Sequence, residues 1–113
     1  MDILINIAND YTKSPGGRYI SEGPYSGEDF RKKLLNEKYD EAVRTNQDLK
    51  VILDGGFGYA PSFLEEAFGG LAREKKDKKM LDIIKIVSDE EPKLIEDVYN
   101  YISEALENRN EKK

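Results

Sequence analysis

The apolar positions of the chain fall into clusters with two different periods. Residues 3–8, ILINIA, are a short run rich in β-branched side chains and ended by Asn9 and Asp10, which predicts a first strand. After the turn-forming SPGG (14–17), RYISEG (18–23) predicts a second short strand, closed by GPYSG (23–27) and antiparallel to the first. From Ser26 the period becomes helical. Ser26 or Gly27 caps, Glu28 and Asp29 stand at the positive end of the helix, and Phe30 and Leu34 are spaced i, i+4. Tyr39, Ala42 and Val43 carry the apolar side onward past a break near Asn36, and RTNQD (44–48) ends the segment.

LKVILD (49–54) is an apolar run bounded by polar and glycine signals, which places a strand in mid-sheet. Ser62 and Glu65 stand three apart ahead of Leu64, Ala67, Phe68, Leu71 and Ala72, so a capping box and a helix starting at Phe63 are expected. REKKDKK (73–79) is a charged connector and MLDIIKIVS (80–88) a further strand. Ser88, Glu91 and Pro92 repeat the helix-start signals for a last helix with Val98, Ala105 and Leu106 on its apolar face, and residues 107–113 are expected to fray. The order ββαβαβα predicts an α/β (α+β) fold: a small mixed sheet of about four strands, covered mainly on one face by its helices.

Composition narrows the function. At 113 residues the chain is expected to be one domain, 1–113, that folds without metals or disulfides. With 23 acidic and 18 basic residues the net charge is −5, which gives no general attraction to nucleic acid or to anionic membranes. The chain has no Cys and no His. Disulfides, thiolate metal sites and cysteine nucleophiles are therefore excluded, and the commonest general base and metal ligand are missing. No cofactor, no metal and no enzymatic activity are expected. MDILINIAND has neither a basic start nor a long apolar stretch, which leads to the expectation of a cytoplasmic protein.

The chemistry concentrates in LDGGFGYAPSFLEEAFGGL (53–71). Gly55, Gly56 and Gly58 admit three readings: a turn that needs positive φ, an anion or nucleotide site at the start of a helix, or a contact surface with Phe57 and Tyr59 at its tip. No Lys follows in the manner of a phosphate-binding loop. Gly69 and Gly70 lie inside a predicted helix, where each costs about 1 kcal/mol relative to Ala, so close approach of the helix to the sheet or to a partner is expected there. Asp54 with Glu65 or Glu66 suggests a carboxylate or Mg²⁺ site, but adjacent helical residues diverge and only one of the two can face Asp54. Arg18 and Tyr19 are placed to pair with acidic residues near the turn.

PGGRYISEGPYSGEDFRKKLL (15–35) followed by VILDGGFGYAPSFLEEAFGGLAR (51–73) resembles the STAS-like family, small bacterial, archaeal and phage proteins named for sulfate transporters and anti-sigma factor antagonists. The resemblance covers residues 15–73 and implies a domain used for protein contacts, with a histidine-kinase-like ATPase or a transcription regulator as partner. In antagonist domains of this kind a strand ends in Asp, a loop follows, and a phosphorylatable Ser or Thr opens the next helix. Asp54, the loop 55–61 and Ser62 occupy that arrangement, although Ala60 and Pro61 stand before the Ser. The resemblance thus implies a non-enzymatic regulatory module with a contact surface of Phe57, Gly58, Tyr59, Glu65, Glu66, Gly69 and Arg73, and with Ser62 as either a switch or simply a helix cap. The alternative is a phosphate or nucleotide sensor built on the glycine loop and the helix start at Ser62.

Overall fold

In a computed structural model, which describes residues 2–108, the β-branched run at the start forms strand β1, Asp2–Asn6. Asn6 then caps a single helical turn, α1 (Ile7–Asp10), its side chain accepting from Asn9 N–H. Two long helices follow the same plan. Helix α2, residues 27–45, passes from an α-helical turn, Gly27–Phe30, through a π-helical turn, Arg31–Leu35, into Asn36–Thr45. Helix α3, residues 61–75, does the same through Pro61–Leu64, Glu65–Gly69 and Gly70–Lys75. Strand β2 (Asp48–Ile52) separates them, and the short α4 (Met80–Ile83), β3 (Ile84–Val87) and α5 (Lys93–Asn108) complete the chain.

The sheet is three-stranded, ordered β1-β2-β3 and wholly parallel. This corrects the expected mixed sheet of four strands, while β2 takes the central position that its apolar run predicts. The missing strand is RYISEG. Its Arg18 and Tyr19 N–H groups donate to the Glu22 carboxylate and its Ile20 N–H to Glu28, so the segment closes on side chains and makes a 3-10 turn, Ile20–Glu22, instead of a ladder. The run 80–88 is likewise split. Asp77 accepts from Lys79 N–H and Met80 N–H donates to Asp77 O, which starts a helical turn before the strand begins. The final helix continues through Asn108, two residues into the expected frayed tail, whose remaining residues 109–113 lie outside those described.

Sequential strand order with right-handed crossovers places both connecting helices on one side of a sheet. Burial follows that rule. Ile5, Leu49, Val51, Ile84 and Ile86 point into the core, where Phe30, Tyr39, Phe63, Phe68 and Leu71 meet them. The opposite face carries Leu4, Lys50 and Lys85 in one register row and is left largely open. Parallel sheets are usually covered on both faces, so the bare side is a departure with a topological cause. Ser26 caps α2 as expected, its hydroxyl oxygen accepting from Asp29 N–H. Gly27 lets α2 and α3 cross closely: a methyl group there would lie 2.4 Å from Phe63 O.

Candidate functional site

The loops that leave the carboxyl ends of the three strands gather at one end of the sheet, the place where open α/β sheets commonly carry their sites. The loop after β2 is held firmly. The Asp54 carboxylate accepts from Asp89 and Glu90 N–H, at 3.0 and 2.9 Å, and Gly55 N–H donates to Glu90 at 3.1 Å. On its other side Phe57 N–H donates to Lys13 O at 2.9 Å, and the Tyr59 hydroxyl donates to Leu53 O. Burial pushes the Tyr59 hydroxyl pKa up, and the charges of Asp54 and Glu90 push it further. Gly55 (φ 96°) and Gly58 (φ 121°) take backbone angles that other residues adopt only with strain. What this frame displays is Phe57, 84% exposed at the tip.

Beside the loop is a cleft of about 150 Å³ whose lining includes Asp54, Glu90, Glu91 and Ser88. Asp54, Glu90 and Glu91 make that lining acidic, with no Lys or Arg among its residues. The loop N–H groups of Gly55 and Phe57 are spent on protein acceptors, and Pro61 at the first helical position has no N–H to offer. Asp54 and Glu65 keep separate partners, so they do not form the carboxylate pair that their sequence positions allow.

Ser62 is not the helix cap. The N-cap is Ala60, without a side-chain hydrogen bond, and Pro61 occupies the first turn, so the helix starts before the capping box would place it and Ser62 sits half-buried inside that turn. The proline ring presets the helical φ, and this decides the boundary.

The other expected surface residues divide. Gly58 is exposed and Tyr59 half-buried, but Glu66 and Gly69 are buried, Gly69 beneath the Glu65 and Arg73 side chains of its own helix, which takes them off any accessible face. Glu66 lies 7% exposed in a network of charges. Arg31 donates to its carboxylate at 2.7 Å and, through Nε, to its backbone carbonyl at 3.2 Å, while also reaching Glu74. Arg18 binds Glu65 at 2.5 Å and Glu66 at 3.5 Å, and Arg73 closes on Glu65 at 2.7 Å. Burial alone would raise the Glu65 pKa, but the hydrogen bonds from Arg73 and Arg18 outweigh it and hold the carboxyl below its usual range. The two helix glycines make room for this network. A methyl group on Gly70 would lie 2.6 Å from Arg31 Nε, and one on Gly69 would lie 2.7 Å from Glu65 Oε2. Close approach is thus the reason for both, but of side chains across the helix rather than of the helix to the sheet.

Arg31, the centre of the network, gave no motif of its own; the glycine pair in mid-helix was its only trace. Tyr19, Ile20 and Tyr25 are exposed on the neighbouring loop, with Arg18 5.9 Å from the Tyr19 ring centre. That loop joins the first through Lys13, and Gly16 N–H binds Tyr25 O. Tyr25 has φ 59°, a strained angle for a bulky residue.

No described helix is long and apolar enough to cross a membrane. The chain matches no curated protein and no solved structure. Residues 26–94, more than half of the chain and spanning α2, β2, the held loop, α3 and β3, match the family described as STAS-like domain of unknown function (DUF4325). With the central strand, the displayed loop and the helix behind it all inside that match, the chain belongs to this STAS-like family.

Proposed function

We propose that the protein is a non-enzymatic regulatory module that binds another protein through the rim formed by the loop after β2 and the neighbouring Tyr19–Tyr25 loop. The observation that carries this reading is Phe57: a large aromatic side chain, 84% exposed, on a loop fixed by four hydrogen bonds from backbone N–H groups, three to carboxylates and one to a backbone carbonyl. A rigid loop pays little ordering entropy on binding, and an aromatic anchor with apolar neighbours is the usual composition of a binding hot spot. Ile20 and Tyr25 are exposed on the second loop, and the acidic residues of the cleft that Phe57 helps to line suit a basic edge on the partner. The family resemblance nominates a histidine-kinase-like ATPase or a transcription regulator. The carboxylate lining and the occupied N–H groups weigh against a phosphate or nucleotide in the glycine loop.

The test compares the wild type with Phe57→Ser as baits in an extract of the native host, followed by binding of the purified prey. A protein retained by the wild type should bind Phe57→Ser at least about tenfold more weakly, with an unchanged melting temperature. Equal affinity for both would remove Phe57 from the interface and the proposal with it.

A further inference from the structure

The two edges of the sheet are finished differently. Leu53 N–H bonds to Val87 O, which fixes the alternation along the parallel ladder: Leu49 and Val51 direct their backbone groups to β3, and Lys50 directs its groups to β1. On β3 the outward groups are then those of Ile84 and Ile86. The Tyr99 hydroxyl seals both, donating to Ile84 O at 2.9 Å and accepting from Ile86 N–H at 3.3 Å. On β1 the outward groups are those of Asp2, Leu4 and Asn6. Asn6 is engaged at the end of the edge: its N–H donates to the Asp10 carboxylate at 2.8 Å, and it caps the helical turn that follows. The N–H and C=O of Leu4 face outward without a partner among the described residues, beside a side chain 53% exposed on the bare face.

We infer that the β1 edge is a self-association site: β1 of a second copy adds antiparallel to it about a two-fold axis at Leu4, joining two sheets into one. The pattern of β1 fits itself in that register. Each Leu4 exchanges two backbone hydrogen bonds with its counterpart and covers it on the open face. Each Ile3 meets Ile5 on the core side and each Asp2 meets the neutral Asn6, whose N–H holds the Asp10 carboxylate at the end of the paired stretch. Asp10 closes one end of the edge, which confines pairing to the centre. Because the two-fold uses both β1 edges and Tyr99 seals both β3 edges, association stops at a dimer instead of running on as a fibre. A five-residue strand buries less than a stable interface needs, so the dimer is weak.

Sedimentation velocity on the full chain between about 10 µM and about 1 mM, the range in which weak interfaces are read, tests this. The wild type should shift from monomer to dimer mass with concentration, and protection of the Leu4 amide from hydrogen exchange should rise with it. Leu4→Pro removes only an outward N–H, which an edge strand tolerates, and should dissociate at least tenfold more readily with an unchanged melting temperature. Leu4→Lys, which sets like charges against each other across the axis, should do the same. Tyr99→Phe should grow past the dimer. A wild type that stays monomeric at the highest concentration overturns the inference, as does dimerisation that Leu4→Pro leaves intact. Loss of purified partner binding by Leu4→Pro in a monomeric protein would assign the edge to a foreign strand and overturn it too.

Discussion

Two groups of glycines stand in one stretch of chain, Gly55 and Gly58 before α3 and Gly69 and Gly70 within it, and they serve opposite ends. The loop glycines are about the backbone: both have positive φ, and around Gly58 nothing lies within 4 Å of the place a methyl group would take. The helix glycines have ordinary helical angles, and what they provide is absence. Their missing side chains let Arg31 and Arg73 lie across α3 and hold Glu65 and Glu66. The first pair shapes a surface, and the second makes room for a charge network on α3. Glycines that look alike in sequence are therefore told apart only by what surrounds them.

The largest effect should come from filling the helix pair at its inner member. In Gly70→Ala the new methyl group would lie 2.6 Å from Arg31 Nε and 3.2 and 3.3 Å from its Cζ and Cδ, so the guanidinium has to shift, and the shift is expected to cost its contact with Glu66. Breaking a buried pair costs about 3–5 kcal/mol, against a gain of about 1 kcal/mol in helix propensity, so a net loss of about 2–4 kcal/mol in denaturant unfolding is expected. In an Arg31→Met background the same change should become nearly neutral. If it costs as much there, Gly70 is a backbone glycine after all and the contrast with the loop fails.

The charge network should also appear in acid. A carboxyl whose pKa is lowered in the folded state contributes stability above its unfolded pKa of about 4.3, and the contribution is lost as pH falls through the folded value. Glu65 is such a group, held down by Arg73 and Arg18 against its own burial. Wild-type stability should therefore fall below about pH 4, and Glu65→Gln should be less stable near neutrality while losing less on acidification. Asp77, lowered by hydrogen bonds from the Tyr39 hydroxyl and Lys79 N–H, and Glu28, lowered chiefly by Ile20 N–H, add to the same acid limb. An unchanged acid slope in Glu65→Gln would mean that the two arginines hold the carboxylate no better than water does.

Legibility in the sequence followed physical cause. The helices α2, α3 and α5 show in the 3.6-residue spacing of Phe30, Leu71 and Val98 with their neighbours, and β2 shows in its apolar run, because burial writes a period into the chain. RYISEG has strand-like residues but no partner strand, and what decides its shape is the reach of two carboxylates, Glu22 and Glu28, which no period reports. The π-helical turns left no signal. Arg31 was hidden for the same reason: its role depends on Glu66 and Gly70, thirty-five and more residues away, coming to its side. The displayed loop was the most legible part of the site, since glycine, aromatic and proline each act there locally.

The loop pair should respond more mildly than the helix pair. Gly58→Ala meets no atom, so its whole cost is the strain of a positive φ, about 1 kcal/mol or somewhat more. A loss matching that of Gly70→Ala would reveal crowding that the open surroundings of Gly58 do not contain. The smallest effect belongs to Ser62, between the two groups. A helix-capping serine replaced by Ala loses about 1 kcal/mol. Ser62 is inside the first turn instead, behind Pro61, and Ala is at least as good a helix former there. Ser62→Ala should therefore stay within about 0.5 kcal/mol of the wild type. The cap position belongs to Ala60, which has no side-chain oxygen, and Ala60→Asp should add about 1 kcal/mol by supplying one. The two variants make opposite statements about where α3 begins. If Ser62→Ala loses a full cap and Ala60→Asp adds nothing, the helix starts two residues later in solution, and the loop that displays Phe57 is longer and looser than the fixed frame its binding role requires.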